Sequence, residues 1–275
     1  MKAKKSLGQH FLTNGKIIDR IVETAELSAD DVVLEIGPGK GILTKALLKS
    51  GARVVAVEKD GDLIGHLQQT FSEEIGQRQL MLLHADVLAF NPTAQGLPEH
   101  HYKIVANIPY YITGEIVRRF LSETSQPSRM VLLVQKEVAE RIVACPERGR
   151  RAKDGKPLGQ ARGKESILSM SVKLYGTPSI ALRVPKKYFS PVPNVDSAVL
   201  DVSDIHHSGL SRHDEARFFE IVRLGFSQKR KQVLPLLSKE IKKQKLLQML
   251  AKFDLPETVR AESLPLAAWL FLLKR

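Results

Sequence analysis

The 275-residue chain has one cysteine, Cys145. A single thiol cannot form an internal disulfide or supply a cysteine-based metal site. No apolar stretch is long enough to span a bilayer, and the basic N-terminus lacks the apolar run of a signal peptide. We therefore expect a cytoplasmic protein that does not act at a membrane.

Acidic residues are the scarcer charged type. The chain has 30 Asp and Glu against 42 Lys and Arg, which gives a net charge of +12. A charge of this size indicates nucleic acid, or less often an anionic membrane, as the partner. Charge alone does not distinguish an enzyme from a binder, because basic ribosomal proteins share it.

Apolar runs alternate with helical patterns along the first half of the chain. This alternation predicts a doubly wound, mostly parallel α/β sheet of the Rossmann-like kind, whose strand ends meet at one edge. The predicted strands are residues 32–36, 53–57, 80–83, 103–106, 129–134, 179–184 and 197–202. A segment rich in Gly, Lys and Arg at 145–164 predicts a basic loop. After a linker at 204–209, a small helical lobe is expected.

A glycine turn follows the first predicted strand of the sheet. Its pattern is Glu35-x-Gly37-x-Gly39-x-Gly41, and glycines let the backbone approach a ligand closely. Ile42 stands where the last glycine of a dinucleotide-binding turn would be. The turn therefore fits S-adenosylmethionine better, since that cofactor has no pyrophosphate.

Two carboxylates follow the next two predicted strands. Glu58 is placed to accept both ribose hydroxyls, and Asp86 to accept from the adenine amino group. Either residue alone is more simply explained as a loop carboxylate or a turn or cap residue. Their order after the glycine turn is what favours a cofactor pocket.

The tetrad Asn107-Ile108-Pro109-Tyr110 directly follows the fourth predicted strand. The nitrogen of a base's exocyclic amine is a poor nucleophile, because its lone pair is delocalised into the ring. The Asn107 oxygen and the Pro109 carbonyl can accept its hydrogens, and Tyr110 can stack on a flipped base. Taken alone, the tetrad is equally consistent with an ordinary Pro-containing loop.

With these motifs the chain resembles the ribosomal RNA adenine dimethyltransferases that act on the small subunit. The resemblance runs nearly end to end. Beyond the pocket motifs it rests on KSLGQHFL (5–12), VQKEVAER (134–141), FSPVPNVDSA (189–198) and FSQKRK (226–231).

The resemblance implies a cofactor, S-adenosylmethionine, and a substrate, two adjacent adenines in a hairpin near the 3′ end of small-subunit rRNA. Each N6 would receive two methyl groups by direct transfer, without a metal. The implied catalytic residues are Asn107, Pro109 and Tyr110. The implied cofactor-binding residues are His10, Leu12, Gly37, Glu58, Asp86 and Asn107.

The domains implied are a methyltransferase domain over 1–205, with an N-terminal arm at 1–14, and an RNA-contacting helical domain over 206–275. Lys229, Arg230 and Lys231 are expected to contact phosphate. Phe11 either stacks on the target base or anchors the arm as a core aromatic. The 145–164 loop either adds rRNA contacts or is a solvated insertion. A monomer is expected.

Two alternative functions stay open at this point. One is an enzyme of the same fold that methylates large-subunit rRNA and confers antibiotic resistance. The other is a non-catalytic ribosome-assembly factor. The segments at 189–198 and 226–231 favour the small-subunit enzyme, and the intact pocket motifs argue against lost catalysis.

Overall fold

The structure is a computed structural model that describes residues 9–144 and 163–273. Most of the predicted basic loop, with Cys145, and the first eight residues of the N-terminal arm lie outside the described residues. The chain divides into two compact units, Met1–Ala139 with Gly176–His206 and Glu140–Tyr175 with His207–Arg275. None of the helices in the described part of the chain is long and apolar enough to cross a membrane.

The elements follow the predicted alternation. The strands are β1 Phe11–Leu12, β2 Val32–Ile36, β3 Arg53–Glu58, β4 Leu80–His84, β5 Tyr102–Asn107, β6 Arg129–Gln135, β7 Thr177–Val184, β8 Phe189–Ser190 and β9 Ser197–Ser203. The helices are α1 Gly15–Ala25, α2 Ile42–Lys49, α3 Gly61–Thr70, α4 Ser72–Gly76, α5 Thr113–Ser122, α6 Lys136–Val143, α7 Ile167–Lys173, α8 Arg212–Phe226, α9 Val233–Leu237, α10 Lys243–Lys252 and α11 Leu266–Phe271.

The first unit contains a seven-stranded sheet with the order β4-β3-β2-β5-β6-β9-β7. Strands β4 to β6 are parallel, whereas β9 runs antiparallel to both β6 and β7. The predicted doubly wound, mostly parallel sheet is confirmed. Its central strands are mostly apolar, with Glu35 and Lys103 among the exceptions, and consecutive residues in them are buried, as expected for parallel strands covered on both faces.

The register of the parallel strands sets the height of the side chains at the sheet edge. Ile36, the last residue of β2, pairs with Val57 on one side and Ala106 on the other. Glu58 and Asn107 therefore come one residue beyond this level, at the carboxyl ends of β3 and β5. Ligands of open α/β sheets bind at this edge.

The N-terminal arm is held by a short second sheet. Strand β1 pairs antiparallel with β8, with Phe11 opposite Ser190 and Leu12 opposite Phe189. Helix α1 then begins after Asn14, whose side-chain oxygen accepts from the Ile17 amide. The arm is thereby fixed at both of its described ends.

The second unit is helical and has its own core. The indole of Trp269 is buried and lies so close to Gly225 that a Cβ on this glycine would come within 2.4 Å of it. Elsewhere in the unit, Lys173 donates to the Glu165 carboxylate at 2.6 Å and to the Ala144 carbonyl. The ammonium thus joins two described residues that are 21 positions apart in the sequence.

The compact units differ from the predicted linear boundary at residue 205. Residues Glu140–Tyr175 group with the C-terminal helices. The Glu165 amide donates to the Glu262 carbonyl, and Lys164 pairs with the Glu262 carboxylate at 2.6 Å. Sequence order did not indicate this grouping, because the contacts join residues about a hundred positions apart.

Candidate active site

A cavity of about 190 Å³ opens at the carboxyl ends of the parallel strands in the first unit. The N-terminal arm, the glycine turn, the ends of β3 and β4 and the tetrad after β5 line it. All the residues predicted for catalysis or cofactor binding are among its lining residues, namely His10, Leu12, Gly37, Glu58, Asp86, Asn107, Pro109 and Tyr110. Phe11 also lines it. The structure thus brings these residues together, while their individual roles stay predictions.

The glycine turn is packed too tightly for side chains. Gly41 has φ +79°, and a Cβ there would lie 2.4 Å from the Phe71 ring. Gly39 has φ +61°, and its Cβ would lie 3.0 Å from the ring of Phe11. Positive φ and close contacts together explain why only glycine suits these positions. The turn therefore presents bare backbone to the cavity, and Phe11 rests on it.

Glu58 is nearly buried, and its carboxylate organises the turn. One oxygen accepts from the Gly39 amide at 3.1 Å and the other from the Asp60 amide at 2.9 Å. Asp60 in turn caps α3 by accepting from the Asp62 amide at 3.1 Å. Each carboxylate oxygen has a second lone pair, so Glu58 can still accept from two ligand hydroxyls.

If S-adenosylmethionine is the cofactor, as the sequence predicts, we expect Glu58→Gln to weaken its binding about 10-fold. The Gln side chain keeps one acceptor oxygen but presents an NH₂ to a backbone N–H, which disturbs the turn and removes a hydroxyl acceptor. Isothermal titration calorimetry measures the change. Glu115→Gln, on the exposed face of α5, is the matched control. An unchanged affinity in Glu58→Gln would remove this residue from the cofactor site.

Asp86 is both a cap residue and a cavity residue. One oxygen accepts from the Leu88 amide at 2.9 Å and the other from the Lys59 ammonium at 2.8 Å. The hydrogen bond from Lys59 is the main reason why the pKa of Asp86 is lowered from its usual value. The exposed Lys59 is a contact that the sequence did not predict. An exposed pair of this kind is weak, so it leaves Asp86 available as an acceptor.

Glu35 has the most unusual environment in the site. It is fully buried, and neither carboxylate oxygen has a hydrogen-bond partner among the described residues. Loss of hydration raises the pKa of Glu35 to about 8, and the charge of Glu58 adds to the rise while the nearby Thr44 opposes it. A pKa raised this far favours the protonated form of Glu35 at neutral pH.

The Asn107 side chain has a defined orientation. Its Nδ2 donates to the His10 carbonyl at 3.1 Å. Because a carbonyl oxygen can only accept, this contact fixes which end of the amide is nitrogen, and the Oδ1 atom is left as an acceptor. The Pro109 carbonyl already accepts from the Ile112 amide at 3.2 Å, so one of its lone pairs remains. Two acceptors for an amine are thus present.

Two contacts hold the Tyr110 side chain, one at its hydroxyl and one on a face of its ring. Its hydroxyl hydrogen-bonds to the Ser197 hydroxyl at 2.8 Å, and burial raises the pKa of the phenol. The His10 ring stacks on it, with centroids 5.7 Å apart and planes 21° apart. His10 is itself fixed, because its Nδ1 contacts the Pro191 carbonyl at 2.8 Å. A base that stacks on Tyr110 needs the opposite face or a displaced His10.

Other cavity residues escaped the sequence analysis. Lys40 lies over the Phe11 ring, 5.0 Å from its centroid, and Tyr111 is 63% exposed beside the tetrad. Each lies within or beside a motif described above, and this position in the sequence is the only indication that they line the cavity. Ser197 supports Tyr110 from 87 residues away, and nothing local marked the pairing.

The sheet order, the single antiparallel strand β9 and a glycine-turn pocket at the strand ends define a class I methyltransferase. A family model described as ribosomal RNA adenine dimethylase matches residues 1–275, and the chain belongs to that family. Enzymes of this kind imply an S-adenosylmethionine-type cofactor.

Individual relatives are similar over nearly the whole chain. The ribosomal RNA small subunit methyltransferase A of Dehalococcoides mccartyi (strain ATCC BAA-2266) is 36% identical over 99% of this chain and 88% of its own length. Among solved structures, the 23S rRNA methyltransferase ErmE matches with a TM-score of 0.74 and 28% identity, covering 96% of this chain and 98% of that one. A dimethyladenosine transferase from Plasmodium falciparum matches with a TM-score of 0.73 and 26% identity, covering 96% of each chain.

Proposed function

We propose that this protein transfers methyl groups from S-adenosylmethionine to N6 of two adjacent adenines near the 3′ end of small-subunit rRNA, two methyl groups to each. The observation that carries the proposal is the orientation of Asn107: its Nδ2 donates to the His10 carbonyl, which leaves Oδ1 as an acceptor in the cavity that Pro109 also lines. Family membership and the names of the relatives support the choice of RNA.

The residues present fit the cofactor. Glu58 keeps two acceptor positions for ribose hydroxyls, and Asp86, which lines the same cavity, keeps acceptor capacity for an adenine amino group. The glycine turn offers backbone at close range, and the buried Glu35 lacks any partner among the described residues. When bound, the cofactor supplies a methyl group on a sulfonium that is already activated by its charge.

The protein's own contribution is positioning and exclusion of water. Asn107 Oδ1 and the Pro109 carbonyl accept the two hydrogens of the amine, which turns the nitrogen lone pair away from the ring. Tyr110 holds the base by stacking. In the second methylation the amine has one hydrogen left, so only one of the two acceptors is used. The proton leaves after the nitrogen has become positively charged, and no dedicated base is needed.

A large-subunit rRNA methyltransferase is the second candidate. The match to ErmE, which covers nearly the whole of both chains, favours it. The relative from Dehalococcoides mccartyi is more similar in sequence and is named for the small subunit. A non-catalytic assembly factor is disfavoured, since it would not need the amine acceptors.

The deciding experiment is methyl transfer from labelled S-adenosylmethionine to small and large subunits that lack adenine methylation. We expect N6,N6-dimethyladenosine near the 3′ end of the small-subunit rRNA. Label in the large subunit would assign the second candidate. Absence of label in both, with intact cofactor binding, would point to the assembly factor.

The second unit supplies the proposed phosphate contacts. Lys229, Arg230 and Lys231 are exposed in the connection between α8 and α9. Replacing all three residues by Glu should make the negative slope of log K against log salt for RNA binding shallower by about 2. Each lost phosphate contact removes about 0.7–0.9 from the magnitude of the slope. Filter binding at several salt concentrations measures the slope.

A matched charge change controls for net charge. Lys45, Lys49 and Arg53 are also exposed, and their replacement by Glu changes the protein charge equally. The slope should fall less in this variant than in the Lys229–Lys231 variant. Equal slopes in the two variants would mean that the Lys229–Lys231 segment has no particular contact with phosphate.

We further propose that the protein acts as a cytoplasmic monomer.

A further inference from the structure

Arg119 lies in the last turn of α5, the helix that begins three residues after Tyr110 of the tetrad. Its side chain is only 22% exposed, and each of its three nitrogen atoms donates a hydrogen bond. Nη1 donates to the Val87 carbonyl at 2.9 Å, Nη2 donates to the Phe90 carbonyl, and Nε donates to the Glu123 carboxylate at 2.7 Å. One planar guanidinium therefore holds two backbone carbonyls three residues apart.

These two carbonyls belong to the segment that leaves β4. Asp86 begins it by capping a single helical turn over Val87–Ala89, and Phe90 ends it. The Val87 and Phe90 side chains are buried. The segment is therefore held by the packing of these side chains and by the hydrogen bonds from Arg119 to their carbonyls. Arginine suits this task because its donors form a rigid fork, which a lysine cannot reproduce.

The same segment forms one wall of the cavity. Residues 85–88 line it, whereas Arg119 does not. The guanidinium therefore does not line the cavity itself, and it acts on a ligand there through the wall residues. Its charge also reaches the Asp86 carboxylate, although the hydrogen bond from Lys59 is the larger influence on the pKa of Asp86.

We propose that Arg119 is a positioning residue for the adenine end of the cofactor: by binding the Val87 and Phe90 carbonyls it holds Asp86 where it accepts from the adenine amino group. This inference rests on the proposed function, since it takes S-adenosylmethionine as the ligand. It adds a residue of α5, outside the recognised motifs, to the determinants of cofactor affinity.

The test compares three variants of the full chain by calorimetry with S-adenosylmethionine. Arg119→Met removes the donors and should raise the dissociation constant about 10-fold, the low end for residues that orient a ligand's contacts. Arg119→Lys retains the charge but only part of the hydrogen bonding, and should raise it about 3-fold. Arg118→Met is the matched control, because Arg118 is the exposed neighbour on the same helix, and its affinity should equal that of the unmodified protein.

A double-mutant cycle with Asp86→Ala separates positioning from general loss of stability. If Arg119 acts through Asp86, the double variant should bind no more than about 2-fold weaker than Asp86→Ala alone. Independent, multiplying losses would overturn the inference, as would an unchanged affinity in Arg119→Lys. The Lys variant keeps the test decisive if Arg119→Met fails to fold. Failure of the unmodified protein to bind S-adenosylmethionine would instead refute the proposed function.

Discussion

Replacing Asn107 by Ala should lower the turnover number about 10²- to 10³-fold, while the dissociation constant for RNA changes less than about 3-fold. In the proposed mechanism, Oδ1 acts on the amine of a base that is already bound. The Nδ2 contact with the His10 carbonyl only sets the direction of the amide. Single-turnover methylation and equilibrium RNA binding measure the two quantities separately.

Asn107→Asp is the informative companion variant. It retains an acceptor oxygen but can no longer donate to the His10 carbonyl, so the carboxylate is less firmly directed. We expect turnover between that of Asn107→Ala and the unmodified protein. Cofactor affinity must be measured in both variants, because Asn107 is also a proposed cofactor contact. If Ala lowers RNA affinity as much as turnover, Asn107 does not orient the amine.

The sheet could be predicted from the sequence with little error. Strand β2 has the predicted bounds, and β5 extends the predicted 103–106 run by one residue at each end. Fully buried parallel strands are continuous apolar runs, which makes them easy to recognise. Parallel topology then fixed where the strand ends meet. That is why the sequence alone predicts that Glu58, Asp86 and Asn107 share a site.

The contacts that hold the site residues could not be predicted in this way. The pairing of β1 with β8 and the contact between His10 and the Pro191 carbonyl join positions more than 170 residues apart. Local patterns contain no information on such pairs. The bond from Lys59 to Asp86 was missed for another reason, because a lysine beside a motif carries no sign of its partner.

Glu35 shows most clearly what burial adds to a motif. The sequence marks it as the first residue of the glycine-turn pattern and says nothing about its protonation. In the structure its carboxyl lies at the end of β2, fully buried and without a hydrogen-bond partner among the described residues. Ionisation there loses hydration, and the nearby Thr44 offsets only part of that loss. The consequence is a dependence of folding stability on pH.

We expect the free energy of unfolding to fall as the pH rises from about 4.5 to about 8. The unfolded chain releases the Glu35 proton near its ordinary pKa of 4.5, whereas the folded chain retains it to about 8. Between these values the folded state binds more protons, so its free energy of unfolding decreases by at most about 1.4 kcal/mol per pH unit from this group. Above about pH 8 both states are ionised, and the loss is complete.

Glu35→Gln should remove this dependence, because the amide has the same shape and does not ionise. As the pH rises from 5 to 8, the free energy of unfolding of the variant should increase by about 2–4 kcal/mol relative to that of the unmodified protein. Urea denaturation followed by far-ultraviolet circular dichroism measures it at each pH. The exposed Glu115→Gln is the control and should leave the slope unchanged. The same slope in Glu35→Gln and the unmodified protein would mean that Glu35 is ionised in the folded state, and that a donor or water satisfies it.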